Sequence, residues 1–273
     1  MSSMVVGAMV PPRLDDCGWP SRYKAWRQLK ESYRCDMSEM SVALIPGGTG
    51  SVGRCLLPML IDRGFKVAVT YLLPEEATAL ESDMGLEEDQ LIIRRVDGTD
   101  PEAVDAFFSE ATEAFGPINL MASLVGGWAG GRDVAETDDV RLNRMIDLNV
   151  KTAWNATRAA IPLMSDDWGR IVLIGSKHAV EAPAGQAAYN MSKAAVAALG
   201  RSVATELLDT ATTCNTLLPS VINTEATRTA LPYSDYVDWP QPEEIAEVIN
   251  FLGSRESKAV NGGTIPVSGS ALI

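Results

Sequence analysis

A short apolar run that ends in a cluster of glycines and restarts as a helix constrains this chain more than any other feature. Val42-Ala43-Leu44-Ile45 has the character of a buried strand, and Leu56-Leu57-Pro58-Met59-Leu60-Ile61 reads as a helix. Between them lie Gly47, Gly50 and Gly53, with Thr49, Ser51 and Val52 filling the gaps. Glycines at this spacing permit a tight turn and a close approach of backbone to whatever sits above it. The helix that follows offers its free N–H groups to the same spot, which suits an anion. Strand, turn and helix in this order predict a cradle for the pyrophosphate of a dinucleotide, formed by Gly47, Thr49, Gly50, Ser51, Val52 and Gly53. A glycine turn between an ordinary strand and helix is the plain alternative, and the flanking elements favour the cradle.

From Val42 onward, strand and helix signals alternate. Lys66–Tyr71 reads as a second strand, and Asp100-Pro101-Glu102 opens a helix carrying Phe107, Phe108, Ala111 and Phe115. Ile118–Val125, Arg170–Gly175, Asn215–Leu218 and Thr264–Val267 read as further strands. Val140–Met164 reads as one long helix that Pro162 bends or ends, Gln186–Leu208 as another, and Pro242 opens a last one. This alternation predicts an α/β fold: a Rossmann-like doubly wound parallel sheet with helices on both faces, a single domain over residues 41–273. Residues 1–40 stand apart as an N-terminal extension, either disordered or a short helix over Arg22–Tyr33 with Trp26, Leu29 and Tyr33 on one side. Met4–Val10 is too short for a signal-peptide core and lacks a basic lead, so no secretory leader is expected.

Tyr189 and Lys193 are four residues apart in Ala188-Tyr189-Asn190-Met191-Ser192-Lys193, about one helical turn, so both project from one face. An ammonium there lowers a phenol pKa that is ordinarily about 10. Such a phenol can give or take a proton near neutral pH, as carbonyl reduction by hydride requires. Ser176 follows the apolar run Ile171-Val172-Leu173-Ile174, thirteen positions upstream of Tyr189. Alone, this tyrosine–lysine spacing marks any exposed helical pair; the glycine turn and the serine lend it chemical meaning.

Glycine turn, Ser176, Tyr189 and Lys193, in this order and spacing, resemble the short-chain dehydrogenase/reductase family from about Val42 to about Ser270. The resemblance implies hydride transfer between NAD(P) and a carbonyl or alcohol of a small molecule. Tyr189 would be the general acid/base, Ser176 would bond the substrate oxygen, and Lys193 would lower the phenol pKa and hold the ribose. It further implies Asn149 in the proton relay, Asp97 at the adenine, and Pro219, Ile222 and Thr224 beside the nicotinamide. The chain departs from the family pattern at Pro46, where a threonine is usual, and at Ser51, usually glycine. Ser123-Leu124-Val125-Gly126 replaces the common Asn-Asn-Ala-Gly, and Ser220 follows Pro219 where glycine is usual. The glycine spacing alone resembles the extended branch of sugar epimerases, but too little chain follows Pro219 for that branch's substrate domain. Gly126-Gly127-Trp128-Ala129-Gly130-Gly131, with Pro219, Thr224 and Arg228, resembles the quinoid dihydropteridine reductase group. That likeness implies Gly126 close to the nicotinamide and Trp128 as a wall of the substrate pocket. Ser176 argues instead for a carbonyl or alcohol, so a quinonoid reductase stands as the alternative, and a non-catalytic dinucleotide sensor as a second.

An acid at the end of the second strand selects NAD by binding the ribose hydroxyls and repelling the extra phosphate of NADP. The position falls on Tyr71, with Leu72 and Leu73 after it and no carboxylate before Glu75, which tilts the expectation towards NADP. His178 and Tyr233 are further candidates for the substrate pocket. With 36 acidic against 23 basic residues and a net charge of −13, the chain would be repelled by nucleic acid and anionic membranes alike. One histidine and four cysteines without a Cys-x-x-Cys pair predict no metal site and reduced thiols in the cytoplasm. Ala153, Ala156, Ala159, Ala194, Ala195, Ala197 and Ala198 suit close helix packing, and family likeness implies a homodimer or homotetramer built on those two helices.

Overall fold

A computed structural model describes residues 41–84, 90–234 and 236–269; the N-terminal extension lies outside the described residues. Strand β1 (Ser41–Ile45) is buried on both sides because its residues alternate between two cores. Val42 and Leu44 point to one, Ala43 and Ile45 to the other. Around it run β2 (Phe65–Tyr71), β3 (Leu91–Arg95), β4 (Leu120–Ser123), β5 (Gly169–Ile174), β6 (Thr212–Pro219) and β7 (Thr264–Val267). All pair in parallel, in the order β3-β2-β1-β4-β5-β6-β7. The winding reverses between β1 and β4, which opens a crevice at the carboxyl ends of the strands.

Helices α1 (Ser51–Asp62), α2 (Pro74–Met84), α3 (Pro101–Phe115), α4 (Asp139–Met145), α5 (Thr152–Ala160), α6 (His178–Glu181), α7 (Ala187–Glu206), α8 (Glu225–Ala230) and α9 (Pro242–Leu252) connect them. Asp100 caps α3 by accepting from the N–H groups of Glu102 and Ala103, and Pro101 presets its first turn. One core lies under α3, α5 and α7, with Phe107, Phe108, Ala156, Ala160 and Val196 against Leu44 and Ile171. The other lies under α1 and α9, with Leu56, Leu60, Ile249 and Leu252 against Ile45 and Val172. Each such Leu or Ile, fully buried, contributes about 1.5–3 kcal/mol.

The long helix expected over Val140–Met164 is present as an unbroken helical run but changes type along its length. Between α4 and α5 the backbone makes a π-helical turn over Ile146–Lys151, and Pro162 sits in a 3-10 turn after α5. The widened turn contains Asn149, 1% exposed, whose side chain is bonded to Gly127 on the loop after β4. A π-helical turn of this kind commonly marks a functional position. The alanine-rich pattern concealed it because the apolar period continues on both sides of the turn.

Candidate active site

At the β1 end of the crevice, Gly47 adopts φ +73°, where a side chain would be strained, and a Cβ there would lie 2.9 Å from Val125 N. Gly53 packs the start of α1 on the turn; a Cβ would fall 2.1 Å from the Gly48 carbonyl oxygen. Gly50 is the N-cap of α1, and Ser51 and Val52 form its first turn, with no acidic residue there to oppose an anion. The turn is tied to β2, since Gly47 N donates to Thr70 Oγ1 at 3.0 Å. Thr49, 3% exposed, donates through Oγ1 to Glu76 Oε2 at 3.0 Å. This bare backbone cradle at a helix N-terminus fits a pyrophosphate. Tyr71 is the last residue of β2, as the register predicted. Asp97 follows β3; the Thr99 backbone and hydroxyl both donate to its Oδ1, at 2.9 and 2.7 Å, and hold its carboxyl below the ordinary range.

Towards β5 lie Ser176, Tyr189 and Lys193. Ser176, 5% exposed, accepts from His178 N at 3.2 Å. Tyr189 rises from the first turn of α7, and burial pushes its phenol above the ordinary value while the Ser176 hydroxyl opposes that rise. Lys193, one turn on, donates through Nζ to the Ile174 carbonyl at 2.9 Å, and burial lowers it to about 8. The causes acting on the phenol are thus burial and the Ser176 hydroxyl, with burial the larger. Gly126 stands directly over this group, because a Cβ there would be 2.9 Å from Lys193 Nζ and 3.0 Å from Asn149 Oδ1.

Asn149 acts on the loop. Its Oδ1 accepts from Gly127 N and its Nδ2 donates to Gly127 O, both at 3.0 Å, and Nδ2 also donates to Ser192 Oγ at 3.0 Å. Ser192 in turn donates to the Tyr189 carbonyl at 2.8 Å, so one amide joins the glycine loop to α7. Ser192 and Gln186 were missed from the sequence; each lies within four residues of Tyr189, which was the available signal. Gln186 accepts from Trp128 Nε1 at 2.6 Å, pinning a half-exposed indole over Gly130. His178 meets the Tyr189 ring edge-on at 6.1 Å, and burial lowers its imidazole below the ordinary value. Among the described residues its buried Nδ1 has no hydrogen-bond partner.

At the far side, Pro219 ends β6, Ile222 follows, and Thr224 caps α8 by accepting from Thr227 N at 3.1 Å. Tyr233 does not reach the pocket. It is fully exposed, held outward in the turn after α8, while Tyr236 and Trp239 pair with each other at 5.1 Å. A cavity of about 570 Å³ lies on the other side of α7, lined by Val134, Pro183, Asn190 and Met191, and takes in none of Ser176, Tyr189 or Lys193. No group of side chains that could hold a metal ion, and no helix long and apolar enough to cross a membrane, occurs among the described residues.

An anion cradle at one end of a switch-point crevice and a tyrosine–lysine pair at the other define an α/β oxidoreductase. The short chain dehydrogenase family matches residues 41–233, and the chain belongs to that family. It is 31% identical over 235 residues to the 3-oxoacyl-[acyl-carrier-protein] reductase MabA of Mycobacterium bovis, covering 83% of this chain and 90% of that protein. It is 28% identical to the 2,5-dichloro-2,5-cyclohexadiene-1,4-diol dehydrogenase LinX of Sphingobium indicum, over 84% of this chain and 94% of that one. A short-chain dehydrogenase/reductase mutant from Serratia marcescens superposes with a TM-score of 0.77 at 26% identity, covering 85% of this chain and 98% of that chain.

Proposed function

We propose that this enzyme moves a hydride between a nicotinamide dinucleotide and a carbonyl or alcohol, with Tyr189 as the general acid/base. The observation that carries this reading is the convergence of Ser176, Tyr189 and Lys193 at the carboxyl end of β5, under the Gly126 backbone. A nicotinamide dinucleotide held by the glycine turn and Lys193 would supply or accept the hydride. Ser176 bonds the reacting oxygen and Tyr189 O–H donates a proton to it as the alkoxide develops. Lys193 places positive charge beside the emerging phenolate, offsetting the burial that otherwise resists it. Asn149 keeps Gly127, and with it Gly126, at the depth that leaves room for a flat ring.

A carbonyl or alcohol substrate is preferred over a quinonoid one because Ser176 is present and oriented by His178 N. The names of the relatives agree, since a 3-oxoacyl reductase and a cyclic diol dehydrogenase both work at a carbon bearing oxygen. A homo-oligomer is part of the proposal: Val140, Trp154 and Met191, at 79%, 54% and 51% exposure, put apolar surface on α4, α5 and α7. So is a cytoplasmic setting, which suits the free thiols of Cys55 and Cys214.

Tyr189→Phe tests the assignment. Turnover should fall at least about 100-fold, since general acid–base catalysis is worth about 10²–10⁴-fold. Dinucleotide affinity, measured by fluorescence titration, should change little. A variant keeping more than a tenth of native kcat would overturn the role of the phenol.

A further inference from the structure

The loop after β4 and the loop before α7 are stapled together at one point. Gly131 N and Arg132 N both donate to the Gly185 carbonyl, at 2.8 and 3.1 Å, and Trp128 Nε1 donates to Gln186 Oε1 at 2.6 Å. All three bonds land on Gly185 and Gln186, which lead directly into α7 and Tyr189. The indole lies so close over Gly130 that a Cβ there would fall 2.5 Å from Trp128 Cζ2 and 3.2 Å from Gln186 Cβ. Gly131 and Gly185 hold φ +87° and +76°, which lets both loops turn without strain. Gln186 has a second partner. Burial lowers the His178 imidazole, and a side-chain bond from Gln186 opposes that fall. His178 in turn meets the Tyr189 ring edge-on at 6.1 Å. Indole, amide and imidazole are thus one connected wall running from the glycine loop to the phenol.

We propose that Gln186 is a specificity-determining residue: by pinning Trp128 and bracing His178 it holds a flat wall beside Tyr189, and the site takes a ring ketone or the matching ring alcohol rather than an open-chain one. The proposal rests on the oxidoreductase reading above. An indole fixed by its N–H offers a rigid π-face, on which a flat ring stacks with an offset. A planar ring loses no internal rotations when it settles there, whereas an open chain must freeze several bonds against the same surface. Trp128 keeps 49% of its surface exposed, so the face is available although the N–H is bonded. The three bonds also close this flank, leaving a chain no way out between two loops whose backbones are joined.

The test compares a ring ketone, 2-tetralone, with an open-chain one, ethyl acetoacetate, for the native full chain, Gln186→Leu, Trp128→Phe and the double variant. The native protein should reduce 2-tetralone with kcat/KM at least about tenfold above ethyl acetoacetate. Gln186→Leu removes the acceptor of the indole bond and Trp128→Phe its donor. Each should raise KM for 2-tetralone about tenfold, keep kcat within about twofold, and move KM for ethyl acetoacetate less than about threefold. Because both break the same bond, the double variant should be no worse than either single one. A loss shared equally by the two ketones, a fall in kcat with KM unchanged, or single effects that multiply in the double variant would overturn the proposal. A native protein that prefers ethyl acetoacetate, or that binds dinucleotide and turns over neither ketone, would overturn it too, needs no variant, and leaves the oxidoreductase reading standing. Binding of neither NADH nor NADPH would overturn both.

Discussion

Strand β5 has a buried cation near each end, and the protein treats the two in opposite ways. Arg170, 2% exposed, donates from Nε to Ser254 O and Ser257 Oγ, from Nη1 to Gly169 O and Ala211 O, and from Nη2 to Arg255 O. Its guanidinium also lies over the Trp168 ring at 5.5 Å. Lys193, 5% exposed at the other end, has among the described residues one hydrogen bond, to Ile174 O. Burial lowers both, and the lysine falls to about 8. A charge whose three nitrogens are all bonded cements the loop around it. A charge left with donors to spare is retained at a cost in stability, which is the mark of a group kept for a ligand or a reaction. The same strand thus separates a structural end from a chemical one.

The sharpest way to break that contrast is Arg170→Met. It removes five hydrogen bonds from a buried site, although Ser257 Oγ keeps its bonds to Leu252 O and Ser254 O, and Ala211 O keeps Gly169 N, and it should cost about 3 kcal/mol by urea unfolding. Turnover per folded molecule should stay within twofold. A loss below about 1 kcal/mol would show that the five bonds are not what holds the region from Ser254 to Ala259.

A smaller effect belongs to Gly126→Ala. The added methyl would press on Lys193 Nζ at 2.9 Å and Asn149 Oδ1 at 3.0 Å. Lys193 is the flexible partner and should give way, so turnover should fall about tenfold, on the order of 1.4 kcal/mol. Unfolding stability should change by about 1 kcal/mol or less. A drop in stability matching that of Arg170→Met would mean that the glycine serves packing rather than chemistry.

The contrast also marks how much the sequence discloses. Strand and helix order was legible because burial on both faces leaves long apolar runs, and β7 over Thr264–Val267 was read to the residue. The grouping of Tyr189, Lys193 and Ser176 was legible because they stand at fixed spacing on one helix and beside one strand end. Bonds between distant segments left no such trace. Nothing local to Asn149 announces a π-helical turn, nothing in Gln186 announces the Trp128 indole, and nothing in α2 shows that Glu76 returns to Thr49. Each depends on where a loop lands after the sheet has formed. Tyr233, expected at the substrate pocket from its place in the sequence, depends on such a landing too: the turn after α8 leaves it fully exposed.

The smallest effect is the most particular to the comparison, because its sign is opposite to that of the arginine. Lys193 has a folded-state pKa of about 8 against an ordinary 10.5. Between those values the unfolded chain holds more protons than the folded one, so stability rises with pH across that window. Below pH 8 both states are protonated and the folded protein carries the whole cost of the buried ammonium; above about 10.5 both are neutral and the cost is gone. The full shift corresponds to about 3 kcal/mol. Lys193→Met removes this cost but forfeits the hydrogen bond to Ile174 and leaves its carbonyl buried, which offsets about 1–2 kcal/mol. The variant should therefore be nearly inactive yet more stable than the native protein by about 1 kcal/mol at pH 7, read as a higher Tm. That advantage should fade and reverse as melts are repeated from pH 8 to pH 10.5. A variant less stable than the native protein at pH 7 would mean that Lys193, like Arg170, is held there for the fold.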